Sequence, residues 1–185
     1  MGYAVKTAVI CVGNELMLDD GLGIEAYRQL TASYDFPAEV DVQCAGCLTM
    51  NMVAQVDEYD LMLTVDAIDG TGEPAGTIFR YTPDDVARRG TPMGSLHELK
   101  LADLFDAAAL LGYACEGVCV GMQVENGSPS EFVQGLTPAV LEKLPDLVDT
   151  VLAELVLRGC QVQVKATGEL VAAGFHHTMV QVDDA

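Results

Sequence analysis

The chain predicts an α/β fold, a three-layer α/β/α sandwich around a mostly parallel sheet in a single domain, and three observations carry that prediction. Short apolar runs of strand length alternate with segments whose apolar residues recur at helical spacing, the pattern of parallel strands joined by helices that cover both faces. The length, 185 residues, supports one sizeable core and is short for two. Hydrophobic residues make up 50% of the sequence, and no repeat or low-complexity block interrupts it, so the chain is globular.

The elements follow in order. "VKTAVICV" (5–12) is a buried strand, and "GIEAYRQLTASY" (23–34) is a helix with Ile24, Tyr27 and Leu30 on one face. A strand near 38–44 precedes a short helix in "MNMVAQVDEY", and "DLMLTVDAI" (60–68) is a second buried strand. "GTIFRYT" (76–82) alternates as an edge strand does, and "DDVARRGTPMG" reads as a loop. In "SLHELKLADLFDAAALLG" (95–112) apolar residues repeat at helical spacing, and Ser95 with Glu98 forms a capping box that fixes the helix start. His97 then lies in the first turn. "EGVCVGMQVE" (116–125) is another strand. In the last helix Thr137 caps, Pro138 takes the first helical position, and Pro145 is placed to kink or divide it. Residues 161–185 read as an extension, either a hairpin or an ordered tail, beyond a domain spanning 1–160.

Charge narrows the partners. With 28 acidic and 9 basic residues the net charge is −19, which repels nucleic-acid phosphates and anionic lipid head groups. The apolar N-terminal run is short, alternating and broken at Gly13 and Asn14, unlike a secretory signal, and no segment has the length of a membrane span. The sequence therefore reads as that of a cytoplasmic protein without nucleic-acid or membrane partners. The six cysteines then read as thiols rather than a disulfide framework. Cys44 and Cys47 have zinc or redox spacing, but no second C-x-x-C completes a site, and unligated thiols near a strand end are the competing reading.

Three residues converge on one sheet edge. Asp20 follows the first strand, Asp66 ends the run 60–68, and His97 opens a helix behind the next strand and loop. Ligands of open α/β sheets bind beyond the carboxyl ends of the strands. Two carboxylates and an imidazole there suit a borderline divalent metal with open positions. A helix N-terminus disfavours imidazolium, so His97 is kept neutral and able to ligate. Each residue also has a plainer reading: Asp20 as a helix cap, Asp66 as a turn residue beside Asp69, and His97 as a structural histidine. His176 and His177, in the tail, read as exposed.

"VGNELMLDDGLG", "DLMLTVDAID" and "SLHELKLADLF", in this order and spacing, with the helix entry "GLTPAV", resemble the maturation endopeptidases of nickel-iron hydrogenases over about residues 7–160. The resemblance implies a hydrolase that removes the C-terminal extension of a hydrogenase large-subunit precursor after nickel insertion. It also implies that Asp20, Asp66 and His97 contact the nickel, which is delivered by the substrate, with Asp20 and Asp66 as the catalytic carboxylates of an aspartyl-type protease. Asp19 then shapes the loop or acts as a secondary acid. Where the family has a G-T-x-G turn this chain has Gly46, Cys47, Leu48 and Thr49, which puts Gly46 and Cys47, with Asp19, among the residues facing substrate. No G-x-S-x-G elbow or cysteine-histidine pairing suggests a covalent nucleophile. The alternative is a non-catalytic metal-binding or chaperone protein that recognises the nickel-loaded subunit without cutting it.

Overall fold

The two uncharged-to-apolar runs at 7–12 and 61–68 form the middle of the sheet, because a strand free of charge through most of its length is stable only with both faces covered. The computed structural model describes residues 5–46, 52–85 and 96–182, with side chains of the last block from 103 onward. Strand β1 (Thr7–Val12) pairs in parallel with β3 (Val40–Gly46) on one side and β4 (Leu61–Ile68) on the other. Next to β4 lies β6 (Glu116–Gln123), also parallel, and β5 (Ile78–Tyr81) closes the far edge antiparallel to β6, giving the order β3-β1-β4-β6-β5. The edge position expected for "GTIFRYT" is thus observed.

Helices cover both faces. Helix α1 (Leu22–Ser33) and the long α4 (Pro138–Leu157) pack against Val9, Cys11, Leu63, Val65, Val118 and Val120. The short α2 (Val53–Val56) and α3 (Leu96–Leu110) lie on the opposite face, over Ala8, Ile10, Val12, Met62 and Ile68. Alternate side chains of one strand supply the two cores.

Several local expectations are corrected. The buried stripe of α1 is Leu22, Ala26, Gln29 and Leu30, whereas Ile24 and Tyr27 are half-buried. Helix α4 is undivided at Pro145. The stretch read as a loop after β5 opens as a helical turn at 83–85, started by a reciprocal box in which the Asp85 carboxylate accepts from the Thr82 N–H at 2.9 Å and the Thr82 hydroxyl from the Asp85 N–H at 3.3 Å. The rest of that loop and the Ser95–Glu98 capping box lie outside the described residues.

An ion network joins β5, β6 and α4. Arg80 donates twice, at 2.9 Å each, to the buried Glu154, and Arg158 bridges Glu154 to Glu116. Arg80 holds the Glu154 carboxyl below its ordinary range, and Arg158 does the same for Glu116.

Residues 161–182 pack back on the domain. A small hairpin, with Val171 N–H bonded to the Val162 carbonyl at 2.9 Å, adds β7 (Gln163–Val164) antiparallel to β2 (Tyr34–Asp35). Val162 and Val171 are buried in the α1/α4 core. His176 is exposed as expected, but His177 is only 7% exposed. Its Nδ1 lies 2.6 Å from the Tyr34 hydroxyl and its Nε2 lies 3.1 Å from Gln29 Oε1, so a neutral ring accepts from the tyrosine and donates to the amide. Its backbone N–H bonds to Asp149 at 2.6 Å, which straps the tail across α1 and α4.

Burial lowers the His177 pKa, opposed by Asp149, while burial and Asp149 push Tyr34 up to about 12. A histidine whose folded pKa lies below its unfolded value takes up its proton in the unfolded chain first. Its contribution to stability is therefore complete above about pH 6.5 and is lost as pH falls toward the folded pKa. Thermal unfolding of wild type is expected to drop between pH 7.5 and 5.5 by more than that of His177→Gln. The Glu154 and Glu116 contributions are lost only at lower pH, below the ordinary glutamate range, so they do not confound the comparison.

Candidate active site

The loop between β1 and α1 is held by two close backbone approaches. A Cβ on Gly13 would lie 2.1 Å from the Asp20 carbonyl oxygen, and one on Gly23 would lie 2.0 Å from that of Val12. Only glycine lets the loop fold back on itself and α1 start directly against β1. A 3-10 turn, Leu18–Gly21, carries both acids and packs against β4.

The two adjacent acids turn in different directions. Asp19 is fully buried. Its carboxylate accepts from the N–H groups of Glu125 (3.2 Å), Asn126 (2.9 Å) and Thr137 (2.6 Å) and from the Thr137 hydroxyl (3.0 Å). It joins the loop after β1 to the loop after β6 and to the start of α4. The backbone reinforces the junction: the Leu18 N–H bonds to the Val133 carbonyl at 2.7 Å, and the Val133 N–H to that of Leu16 at 2.9 Å. Thr137 does occupy the N-cap position of α4, but its hydroxyl is spent on Asp19 and makes no capping bond. The sequence reading missed this junction, since nothing in spacing links positions 118 residues apart.

Asp20 is half-buried in the same turn. The N-cap position of α1 falls on Gly21, one residue after Asp20. Asp66 lies within β4, opposite Gly121 of β6, and is only 2% exposed. By alternation it faces the same side as Met62 and Ile68, the side covered by α3. Its Oδ1 accepts from the Ala67 N–H at 2.8 Å. The turn role belongs to Asp69, whose Oδ1 accepts from the Gly70 N–H at 2.6 Å. Since Cys11 of β1 pairs with Val65 of β4, the turn with Asp20 and the strand with Asp66 meet at adjacent strand ends.

Chain direction places the third element. Helix α3 feeds β6, whose first residue lies at the amino edge, so α3 must begin over the carboxyl edge, on the Asp66 face. His97 is its second residue. The His97 side chain lies outside the described residues, as does Cys47. Gly46 ends β3 with φ 62°, and its carbonyl accepts from the Gly13 N–H at 2.7 Å, which ties β3 to the acid-bearing loop. Among the described residues no cluster of three histidine, cysteine, aspartate or glutamate side chains is arranged to hold a metal ion. The described cysteines are free thiols: Cys11, Cys119 and Cys160 are buried, and Cys44 is exposed on β3.

The fold and this edge define an α/β sandwich with two aspartates gathered at the carboxyl ends of its central strands. A family model described as hydrogenase maturation protease matches residues 24–154. The hydrogenase expression/formation protein HupD of Bradyrhizobium diazoefficiens is 31% identical over 158 residues, covering 80% of this chain and 79% of that protein. The hydrogenase 2 maturation protease of Escherichia coli is 28% identical over 152 residues, covering 82% and 91%. The solved structure of the hydrogenase maturating endopeptidase HybD from E. coli superposes with a TM-score of 0.78 at 26% identity, covering 87% of this chain and 98% of that one. The chain belongs to the hydrogenase maturation protease family. It is an endopeptidase, a hydrolase of peptide bonds.

No described helix is long and apolar enough to cross a membrane.

Proposed function

We propose that this enzyme removes the C-terminal extension of a nickel-iron hydrogenase large-subunit precursor, and that Asp20, Asp66 and His97 contact a nickel ion carried by that substrate. The observation that carries the reading is the convergence of Asp20 and Asp66 on one sheet edge, beneath the start of α3, in a chain of this protease family. Carboxylates and an imidazole are intermediate-to-hard donors, and three of them hold nickel weakly without softer ligands. Nickel seated in the cysteine cluster of the precursor would bring those ligands with it. Proteolysis then follows metal loading because an empty precursor has nothing to seat between these side chains.

Hydrolysis needs a water deprotonated as it attacks the scissile carbonyl and a proton returned to the leaving amine. A carboxylate can serve both steps in turn. Asp66, buried on the α3 face, and Asp20, half-buried at the loop, supply two oxygen pairs of different exposure for this work. A substrate-borne nickel at this point supplies positive charge beside the carbonyl and fixes the peptide against the acids. Gly46, at the end of β3 and bonded to the acid-bearing loop, is the described residue placed to flank the path of the peptide. The net charge of −19 favours a precursor segment rich in cationic groups.

The test is the mass of the precursor. Nickel-loaded cognate large subunit incubated with wild-type enzyme is expected to lose one discrete C-terminal peptide. Tight binding with an unchanged mass would replace this reading by the non-catalytic one, a chaperone that recognises the loaded subunit.

A further inference from the structure

We infer that the outer edge of β3 is the docking strand for the substrate, taking the extended segment that leads to the scissile bond as an added β-strand; this rests on the endopeptidase reading above and deepens it. Successive residues of a strand aim their N–H and C=O groups to opposite sides. The Glu39 carbonyl faces β1, accepting the Thr7 N–H at 2.8 Å, and the Val40 N–H is taken by the Pro37 carbonyl at 2.9 Å. Asp41 and Gln43 therefore face β1, and Val42 and Cys44 point their N–H and C=O groups outward. No described strand pairs with that side, since β3 ends the sheet order.

Long unpaired edges are usually blocked with lysine, proline or a covering segment. The sequence of β3, "VDVQCAG", contains neither lysine nor proline. Its side chains are also held off the edge. Tyr59 donates to Asp41 Oδ2 at 2.9 Å and accepts from Gln43 Nε2 at 3.1 Å, while Lys6 sits 4.7 Å over the Tyr59 ring. The result is a rigid edge with two residues of free backbone pairing. It ends at Gly46, whose carbonyl is bonded to Gly13 of the acid-bearing loop. A chain added along β3 is thereby led toward the turn that carries Asp20. The opposite edge offers less, because β5 has four residues and its Arg80 is clasped to Glu154.

A protease must hold its substrate extended to present a single carbonyl, and β-addition does so through main-chain bonds that tolerate varied side chains. That commits the occupant: the extended C-terminal segment of the precursor.

The experiment combines two variants with amide exchange. Val42→Pro removes one outward N–H and leaves the Asp41 and Gln43 bonds to β1. It is expected to raise KM for nickel-loaded precursor by about tenfold with kcat retained, the signature of lost uniform binding. Independently, hydrogen exchange at Val42 and Cys44 is expected to slow when nickel-loaded precursor is added to the Asp20→Asn protein, which also serves should Val42→Pro misfold. An unchanged KM in folded Val42→Pro, or protection confined to the exposed rim of Leu16, Phe132 and Val133, would overturn the proposal. Failure of wild type to release any peptide would instead overturn the endopeptidase reading, whatever the exchange shows.

Discussion

Asp20→Asn is expected to lower the turnover of nickel-loaded precursor by about a hundred- to ten-thousand-fold, the range for removing a positioned acid or base. The change keeps the shape of the side chain and removes its charge and its capacity to accept a proton. Asparagine is nearly isosteric with aspartate and Asp20 is half-buried, so the cost in stability should stay within about 1 kcal/mol. A kinetic loss with near-normal unfolding separates chemistry from folding. Single-turnover assays with a urea melt of the same preparation check both. A variant that cleaves at the wild-type rate would remove Asp20 from the mechanism.

Asp19→Ala, one residue away, has the opposite expected profile: a loss of about 3–5 kcal/mol in unfolding free energy, measured by urea denaturation. Its carboxylate satisfies three backbone N–H groups and one hydroxyl from positions 106 to 118 residues distant. Alanine leaves those donors buried without acceptors and releases the loop after β6 from the loop after β1. Activity would fall as a consequence of unfolding, so turnover per folded molecule is the quantity to compare with Asp20→Asn. A melt unchanged from wild type would mean that water replaces the carboxylate at no cost, and that the junction is held by the Leu16, Leu18 and Val133 backbone bonds alone.

The contrast between these neighbours shows what a sequence can and cannot reveal. Strand alternation and helical spacing made the sheet and its main helices legible, because burial on both faces of β1 and β4 leaves its mark on every residue of the run. Chain direction then placed Asp20, Asp66 and the start of α3 at one edge. Which of two consecutive aspartates turns inward was not legible. That choice is made by donors on Glu125, Asn126 and Thr137, which are brought to Asp19 only by the completed fold. Thr137 illustrates the same limit, since the local rule predicts a cap and the tertiary partner takes the hydroxyl. The sequence suggests an exposed His177 because a polar pair near a chain end usually is. Its burial depends on Tyr34 and Gln29, more than 140 residues earlier, and on Asp149. Local rules held wherever an element's own period set its burial, and failed at side chains whose partners are distant.

The family relationship accounts for a protease, and the two acids account for a site. The proposed metal-gated cutting joins them. The most direct measurement is therefore the mass of the large-subunit precursor after exposure to wild-type enzyme, run side by side on nickel-loaded and nickel-free preparations. Release of the C-terminal peptide from the loaded precursor, with the nickel-free precursor left at its full mass, is the predicted result. Equal cleavage of both would contradict the account, because Asp20, Asp66 and His97 would then be acting on the peptide without reading the metal.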